Sequence, residues 1–172
     1  MKKLRIALLY GGFSTERAIS IKTGKKIFEN LDKKKYQVFL FNPKTELNEF
    51  IEAVNRKKID LAFPALHGLF GEDGSIQGLL EILGLPYVFS GVLASSLAID
   101  KERTKKILKT EKILMPRSVA IEKNYRRDIL DKIKLPVVIK PIFQGSSFGV
   151  FIIKDRKEME DAIRKAFKFG TE

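Results

Sequence analysis

Hydrophobic and polar positions along the chain switch repeatedly between a short-strand pattern and a helical one. Residues 4–10 form a short, mostly apolar run ended by Gly11-Gly12, as a strand buried on both faces requires. Ser14-Thr15-Glu16 then opens a helical pattern carrying Ile21, Ile27, Phe28 and Leu31, with Gly24 as an unfavourable interior residue. Residues 36–41 read as a second strand. Leu47, Phe50, Ile51 and Val54 recur at i, i+3, i+4 and i+7, an amphipathic helix, and residues 60–66 read as a third strand. Strand–helix–strand–helix–strand is the grammar of an open parallel sheet.

A glycine-rich loop, His67 to Gly74, follows directly. Ser75 is placed to cap a helix through Ile76, Leu79, Leu80 and Leu83, which Leu85-Pro86 ends. A brief strand over 87–90 and a short helix over 92–99 come next. Asp100 caps a basic helix that must stop before Pro116. Beyond it the pattern predicts a strand at 118–121, a helix at 127–133, and a strand at 136–140. A tight loop at 145–149, a hairpin partner at 150–153, and a last helix capped by Asp155 and carrying Met159, Ala162, Ile163 and Ala166 complete the reading. No repeat, low-complexity tract or flexible linker interrupts this order. Composition shifts near residue 98, which gives an expected boundary between residues 1–97 and 98–172.

Composition narrows the chemistry. The chain has 172 residues, 44% of them apolar, so a packed core is expected. It has no cysteine, which excludes disulfides, thiolate metal sites and a thiol nucleophile. Its one histidine, His67, excludes a His-rich metal centre. No apolar run has the roughly 18 residues of a membrane span, and the start lacks a signal-peptide cleavage site; a cytoplasmic protein without membrane contact is expected. Net charge is +12. Residues 1–97 carry 14 basic and 10 acidic side chains, net +4; residues 98–172 carry 19 and 11, net +8. The basic second part suits an anionic partner such as a nucleoside triphosphate, or simply solvated helix faces. The lysines are not interleaved with aromatics, so a nucleic-acid groove is not expected.

Three loops at strand ends carry candidate chemistry. In Gly11-Gly12-Phe13-Ser14-Thr15-Glu16-Arg17, glycines allow close backbone approach and Glu16 can hold an ammonium group. Its plain alternative is an acidic residue favouring the helix dipole. The second loop holds His67, Glu72 and Asp73, where Asp73 before Gly74 also reads as a turn. In the third, Lys140 ends an apolar strand, and Gly145-Ser146-Ser147-Phe148-Gly149 offers N–H and hydroxyl donors. Together they make a phosphate clamp, or a plain hairpin with a surface lysine. Neither a dinucleotide fingerprint nor a P-loop is present.

Taken in order, these pieces resemble the D-alanine–D-alanine ligases. Gly11-Gly12-x-Ser14-x-Glu16-Arg17-x-x-Ser20 resembles the opening motif of that family. Leu66-His67-Gly68 with Gly71-Glu72-Asp73-Gly74-x-x-Gln77-Gly78 resembles the second. Pro86-Tyr87, Ser90-Gly91-Val92-x-Ala94-Ser95 and Asp100-Lys101 resemble the third, and Val138-x-Lys140-Pro141 with Gly145-Ser146-Ser147-x-Gly149 the fourth. The resemblance spans residues 4 to 153. It implies an α/β fold: a Rossmann-like, pre-ATP-grasp parallel-sheet domain followed by a small α+β ATP-grasp subdomain that is incomplete here. It also implies ATP-dependent joining of two D-alanines, with magnesium, for peptidoglycan synthesis. By the same resemblance Glu16 would bind the ammonium of the first D-alanine, Ser146 would join Glu16 to an active-site loop, and His67 would sit beside the reacting carboxyl. Lys101 and Lys140 would contact ATP phosphates under the loop Gly145, Ser146, Ser147 and Gly149. Members are commonly homodimers through the N-terminal domain. They run well beyond 172 residues, the further part supplying the magnesium ligands, so this chain alone is expected to be inactive or nearly so. A D-alanine–D-lactate or other ATP-grasp ligase, or one half of a split enzyme, is the alternative.

Overall fold

The computed structural model describes residues 2–145 and 148–170. The chain parts into two compact units, Met1–Ala98 and Ile99–Glu172.

In the first unit, β1 (Leu4–Leu9), β2 (Tyr36–Phe41) and β3 (Leu61–Pro64) form a parallel sheet in the order β2-β1-β3. Leu8 stands opposite Leu40 on one side and Phe63 on the other. The central position explains the unbroken apolar run of β1: Ile6, Ala7, Leu8 and Leu9 are all buried. The helices are α1 (Arg17–Asn30), α2 (Leu47–Asn55), α3 (Ser75–Ile82) and α4 (Val92–Ile99). Phe50 and Val54 of α2 and Ile76 and Leu80 of α3 pack with Ala7, Leu9 and Ala62 in one core.

Several sequence expectations shift here. The helix expected from Ser14 begins at Arg17, and its fully buried positions are Ser20 and Gly24, not the apolar residues around them. A Cβ on Gly24 would lie 2.6 Å from Cβ of Tyr10, so the glycine that weakens the helix locally lets it approach β1. Ser75 is the first residue of α3 rather than its cap. Gly74, at φ +92°, holds the cap position, and Asp73 Oδ1 accepts from Ser75 N at 3.0 Å. The strand expected over 87–90 reduces to one parallel bridge, Tyr87 beside Ala62, because Phe89 at φ +82° turns the chain away.

In the second unit, Asp100 caps α5 (Lys101–Thr110), accepting from the N–H groups of Glu102 and Arg103 at 3.1 and 2.9 Å. Burial pushes the Asp100 carboxyl up, but the Arg103 N–H and guanidinium outweigh it and leave it below the usual range. Then come α6 (Asp128–Asp131) and an antiparallel pair, β4 (Val137–Ile139) with β5 (Phe151–Ile153). A 3-10 turn capped by Asp155 leads into α7 (Met159–Ala166). Leu130, Ile153, Met159, Ala162 and Ile163 form the core. The strand expected at 118–121 is not formed. Ser118, Val119 and Ala120 are exposed, and Ile121 alone of the four packs against the core, so no buried face holds the segment to a sheet.

One ion pair ties the start of β1 to the start of β3. Arg5 donates from Nε and Nη2 to the two oxygens of Asp60 at 2.9 and 2.5 Å, and its backbone N–H adds a bond of 2.8 Å. The Arg5 side chain first, then its N–H, hold the Asp60 carboxyl down at about 2. A depressed carboxylate stabilises the fold fully above its ordinary value, 3.8, and loses that contribution as pH falls through about 2. In urea titrations across that window, stability is expected to fall more steeply with acid for the wild type than for Asp60→Asn. Parallel slopes would show that the pair does not form in solution.

Candidate functional site

Two groups of candidate residues arise, one in each unit. In the first, the loops after β1 and β3 leave adjacent strand ends, and α1 starts between their residues. Gly12 N donates to Asn42 Oδ1 at 3.1 Å, which fixes the first loop against the end of β2. Ser14 joins the two loops: its hydroxyl donates to the His67 carbonyl at 2.6 Å and accepts from Glu16 N at 3.1 Å.

Glu16 sits at the N-cap position of α1, yet its carboxylate makes no capping bond. It is 3% exposed and lies beside Gly68: a Cβ there, at φ +69°, would be 3.0 Å from Glu16 Oε1. The side chain therefore lies both at the N-terminal end of α1 and inside the fold.

Both ring nitrogens of His67 lie near polar groups. Nε2 lies 3.0 Å from Thr23 Oγ1 of α1, and Nδ1 lies 3.7 Å from Glu72 Oε1. The other oxygen of Glu72 accepts from Gly68 N at 2.8 Å. Asp73 turns the loop, accepting from Phe70 N at 2.8 Å as well as from Ser75 N. A cavity of about 190 Å³, lined by glycines 11 and 12, Phe13, Leu66, His67, Phe70 and Ile76, opens beside these loops. His67 reaches its wall; Glu16 does not.

In the second unit, Lys101 Nζ donates to the carbonyls of Ile142 and Gln144 at 2.8 and 2.6 Å, where the chain enters the 145–149 loop. Lys140 follows β4. Burial first, and then the charge of Lys140, hold the Lys105 ammonium below the usual lysine range, so two cations share this end of the unit. Gly149, at φ +70°, closes the loop against Pro141 Cγ and Phe169 Cδ2, which its Cβ would meet at 2.9 and 2.8 Å. Gln144 Nε2 donates to the Phe169 carbonyl at 2.9 Å. Ser146 and Ser147 lie outside the described residues; Gly145 stands at the loop entrance.

Glu16 and His67 are therefore neighbours through Ser14 and Gly68, and Lys101 and Lys140 flank one loop. Sequence reasoning missed Asn42, Thr23 and Lys105. Asn42 has no local signal, since its role depends on β2 lying beside β1. Thr23 and Lys105 had a usable one: each lies on the helical face of a motif residue, at Glu16+7 and Lys101+4. Among the described residues, no three His, Asp or Glu side chains come together to hold a metal.

Comparison with known proteins covers both units. The family described as D-ala D-ala ligase N-terminus matches residues 5–53 and 42–90, and D-ala D-ala ligase C-terminus matches 103–172. D-alanine--D-alanine ligase of Carboxydothermus hydrogenoformans is 45% identical over 177 residues, covering 98% of this chain and 55% of that protein. The Bacillus anthracis ligase is 42% identical over 172 residues, with coverage of 98% and 55%. The crystal structure of the B. anthracis ligase complexed with ATP superposes with a TM-score of 0.82 at 38% identity, covering 98% of this chain and 56% of that one. VanG D-Ala:D-Ser ligase from Enterococcus faecalis gives 0.75 at 30%, covering 99% and 61%. The chain thus spans about half the length of the curated relatives it matches.

Gly68→Ala places a methyl group against the Glu16 carboxylate in a left-handed backbone. A loss of about 1–3 kcal/mol in urea unfolding is expected. An unchanged midpoint would show that the carboxylate is not held there.

Proposed function

This chain belongs to the D-alanine–D-alanine ligase family, and from that membership we propose that its residues serve the ATP-driven joining of two D-alanines. The observation that supports this most is Glu16, a carboxylate 3% exposed at the meeting of two strand-end loops. A buried anion there suits the ammonium of a small amino acid, because an opposite charge offsets the desolvation of both groups. In the proposed reaction the first D-alanine carboxylate attacks the terminal phosphorus of ATP, giving an acyl phosphate and ADP. The amine of the second D-alanine then attacks the acyl carbon, loses a proton, and phosphate leaves with the electron pair of the broken C–O bond.

Residues 1–97 take the substrate role in this reading, and residues 98–172 take the nucleotide. His67 lies beside the reacting carboxyl. Lys101 and Lys140 meet the phosphates, and the loop with Gly145, Ser146, Ser147 and Gly149 closes over them. The solved relative complexed with ATP supports the nucleotide; Ser146 linking Glu16 to a further loop rests on the resemblance alone. Magnesium, expected from the family, enters no step assigned to these residues.

No described helix is long and apolar enough to cross a membrane. A cytoplasmic site of action and a homodimer through the first unit are part of the proposal. Exposed Ile82, Phe89 and Leu93 on that unit supply apolar surface for such a contact. The VanG neighbour favours one second reading, in which D-serine replaces the second D-alanine; competition between the two on the full-length protein decides it.

Calorimetric titration of D-alanine into the chain tests the substrate role. Glu16→Gln is expected to weaken binding at least roughly 30-fold, the effect of removing one partner of a buried charge pair. Equal affinity for both proteins would overturn the assignment of Glu16. In a separate assay with ATP and magnesium, D-alanine-dependent ADP release by the 172-residue chain is expected to stay near background. Turnover at an enzyme's rate would show that these residues suffice.

A further inference from the structure

His67 is the chain's one histidine, and both of its ring nitrogens face protein groups of known kind. The Ser14 bond to its carbonyl fixes its backbone. Around Gly68, Glu72 forms a two-way clip: its N–H donates to the Gly68 carbonyl at 2.8 Å, and its Oε2 accepts from Gly68 N at 2.8 Å. The clip leaves Oε1 on the Nδ1 side of the ring, 3.7 Å away. That is too long for a hydrogen bond but close enough for an ionised carboxylate to bias where the ring proton sits. A proton on Nδ1 faces the negative oxygen favourably; a lone pair on Nδ1 would be repelled by it. Nε2 is then the acceptor, and the Thr23 hydroxyl, which can donate or accept, donates to it across 3.0 Å.

We propose that Thr23 is a positioning residue that, together with Glu72, locks the neutral His67 ring in the tautomer protonated on Nδ1. The consequence for the reaction rests on the function proposed above. With Nε2 accepting from Thr23, Nδ1–H is the one donor the ring has; at 3.7 Å from Glu72 Oε1 it makes no hydrogen bond there, and it is the group His67 has to offer a carboxyl or acyl-phosphate oxygen. The ring does not accept the proton that the attacking amine must lose, so that proton leaves by another route. The same hydroxyl joins α1, which carries Glu16, to the loop that carries His67, and thereby sets the ring's orientation relative to the buried carboxylate.

Because there is a single histidine, long-range proton–nitrogen correlation NMR on the nitrogen-15-labelled chain reports the tautomer without assignment ambiguity. The measurement is made without ligand, at a pH where the ring is neutral. The wild type is expected to show essentially all Nδ1–H. Thr23→Val is expected to move the ring to a mixture in which Nε2–H, the form preferred by an imidazole in water, is the larger part. Thr23→Ser keeps the hydroxyl and is expected to restore the wild-type pattern, which a purely packing role for the threonine would not do. Glu72→Gln removes the charge while its amide oxygen still accepts from Gly68, and it is expected to shift the ring in the same direction as Thr23→Val. Should Thr23→Val fail to give a folded amide spectrum, Glu72→Gln carries the test by itself. A wild-type ring protonated on Nε2, or variants indistinguishable from wild type, overturns the proposal. Since no substrate is present, either result leaves the Glu16 titration to judge the ligase reading independently.

Discussion

The candidate site in the first unit depends on one buried hydroxyl. Ser20 Oγ accepts from Gly11 N at 2.8 Å and donates to the Ala65 carbonyl at 2.6 Å, so a single fully buried side chain closes off groups at the ends of both β1 and β3. Left unpaired, each would cost about 1–3 kcal/mol. Ser20 can reach both only because Gly24, one turn later, lets α1 approach Tyr10. With that helix seated, Glu16 stands one turn before Ser20 and Thr23 about one turn after it, on the same face. The stripe Glu16, Ser20, Thr23 and Gly24 is thus chosen for contact with backbone and loop, not with apolar core. This explains why a helix with Ile21, Ile27 and Phe28 near helical spacing buries a serine and a glycine instead.

The second unit handles its charge differently. Part of its positive charge is engaged by backbone carbonyls. Lys101 holds the entrance of the 145–149 loop, Lys105 donates to the Pro116 carbonyl at 3.0 Å, and Arg156 donates to the carbonyls of Leu130 and Ile133 at 2.7 and 2.8 Å. Four of these carbonyls, of Pro116, Ile133, Ile142 and Gln144, lie outside every strand and helix, so the side chains give them partners that regular structure does not. Lys101 thereby fixes where the loop begins, and Lys140 keeps a like charge close to Lys105.

What could be read in the sequence follows the range of the interactions. β1, β2 and α2 were legible because burial on one or two faces leaves a periodic mark within a few residues. Asp100 was legible as a cap because capping is local. The strand expected at 118–121 was not correctly read, since its apolar content says nothing about whether a sheet edge is available. The 87–90 segment failed for a related reason: one residue of positive φ, Phe89, decides how far it follows β3, and nothing in its composition announces that. Among site residues, Glu16 and His67 could be named from their motif. The burial of Glu16 could not, because Gly68, which lies against its carboxylate, arrives from 52 residues away.

The same distinction bears on His67. A lone histidine after a strand carries no information about its protonation, since that is set by whichever groups meet the two ring nitrogens. Here one of those groups, Glu72, is five residues away and was visible in the loop. The other, Thr23, comes from a helix 44 residues earlier, and only the pairing of β1 with β3 brings it close. Neither contact determines the tautomer unaided: a carboxylate at 3.7 Å biases the proton weakly, and a hydroxyl accepts as readily as it donates. Acting on opposite sides of one ring, they agree on a single arrangement. A site built in this way sets the direction of its hydrogen bonds before any substrate enters, and preorganised donors of that kind are what developing negative charge requires.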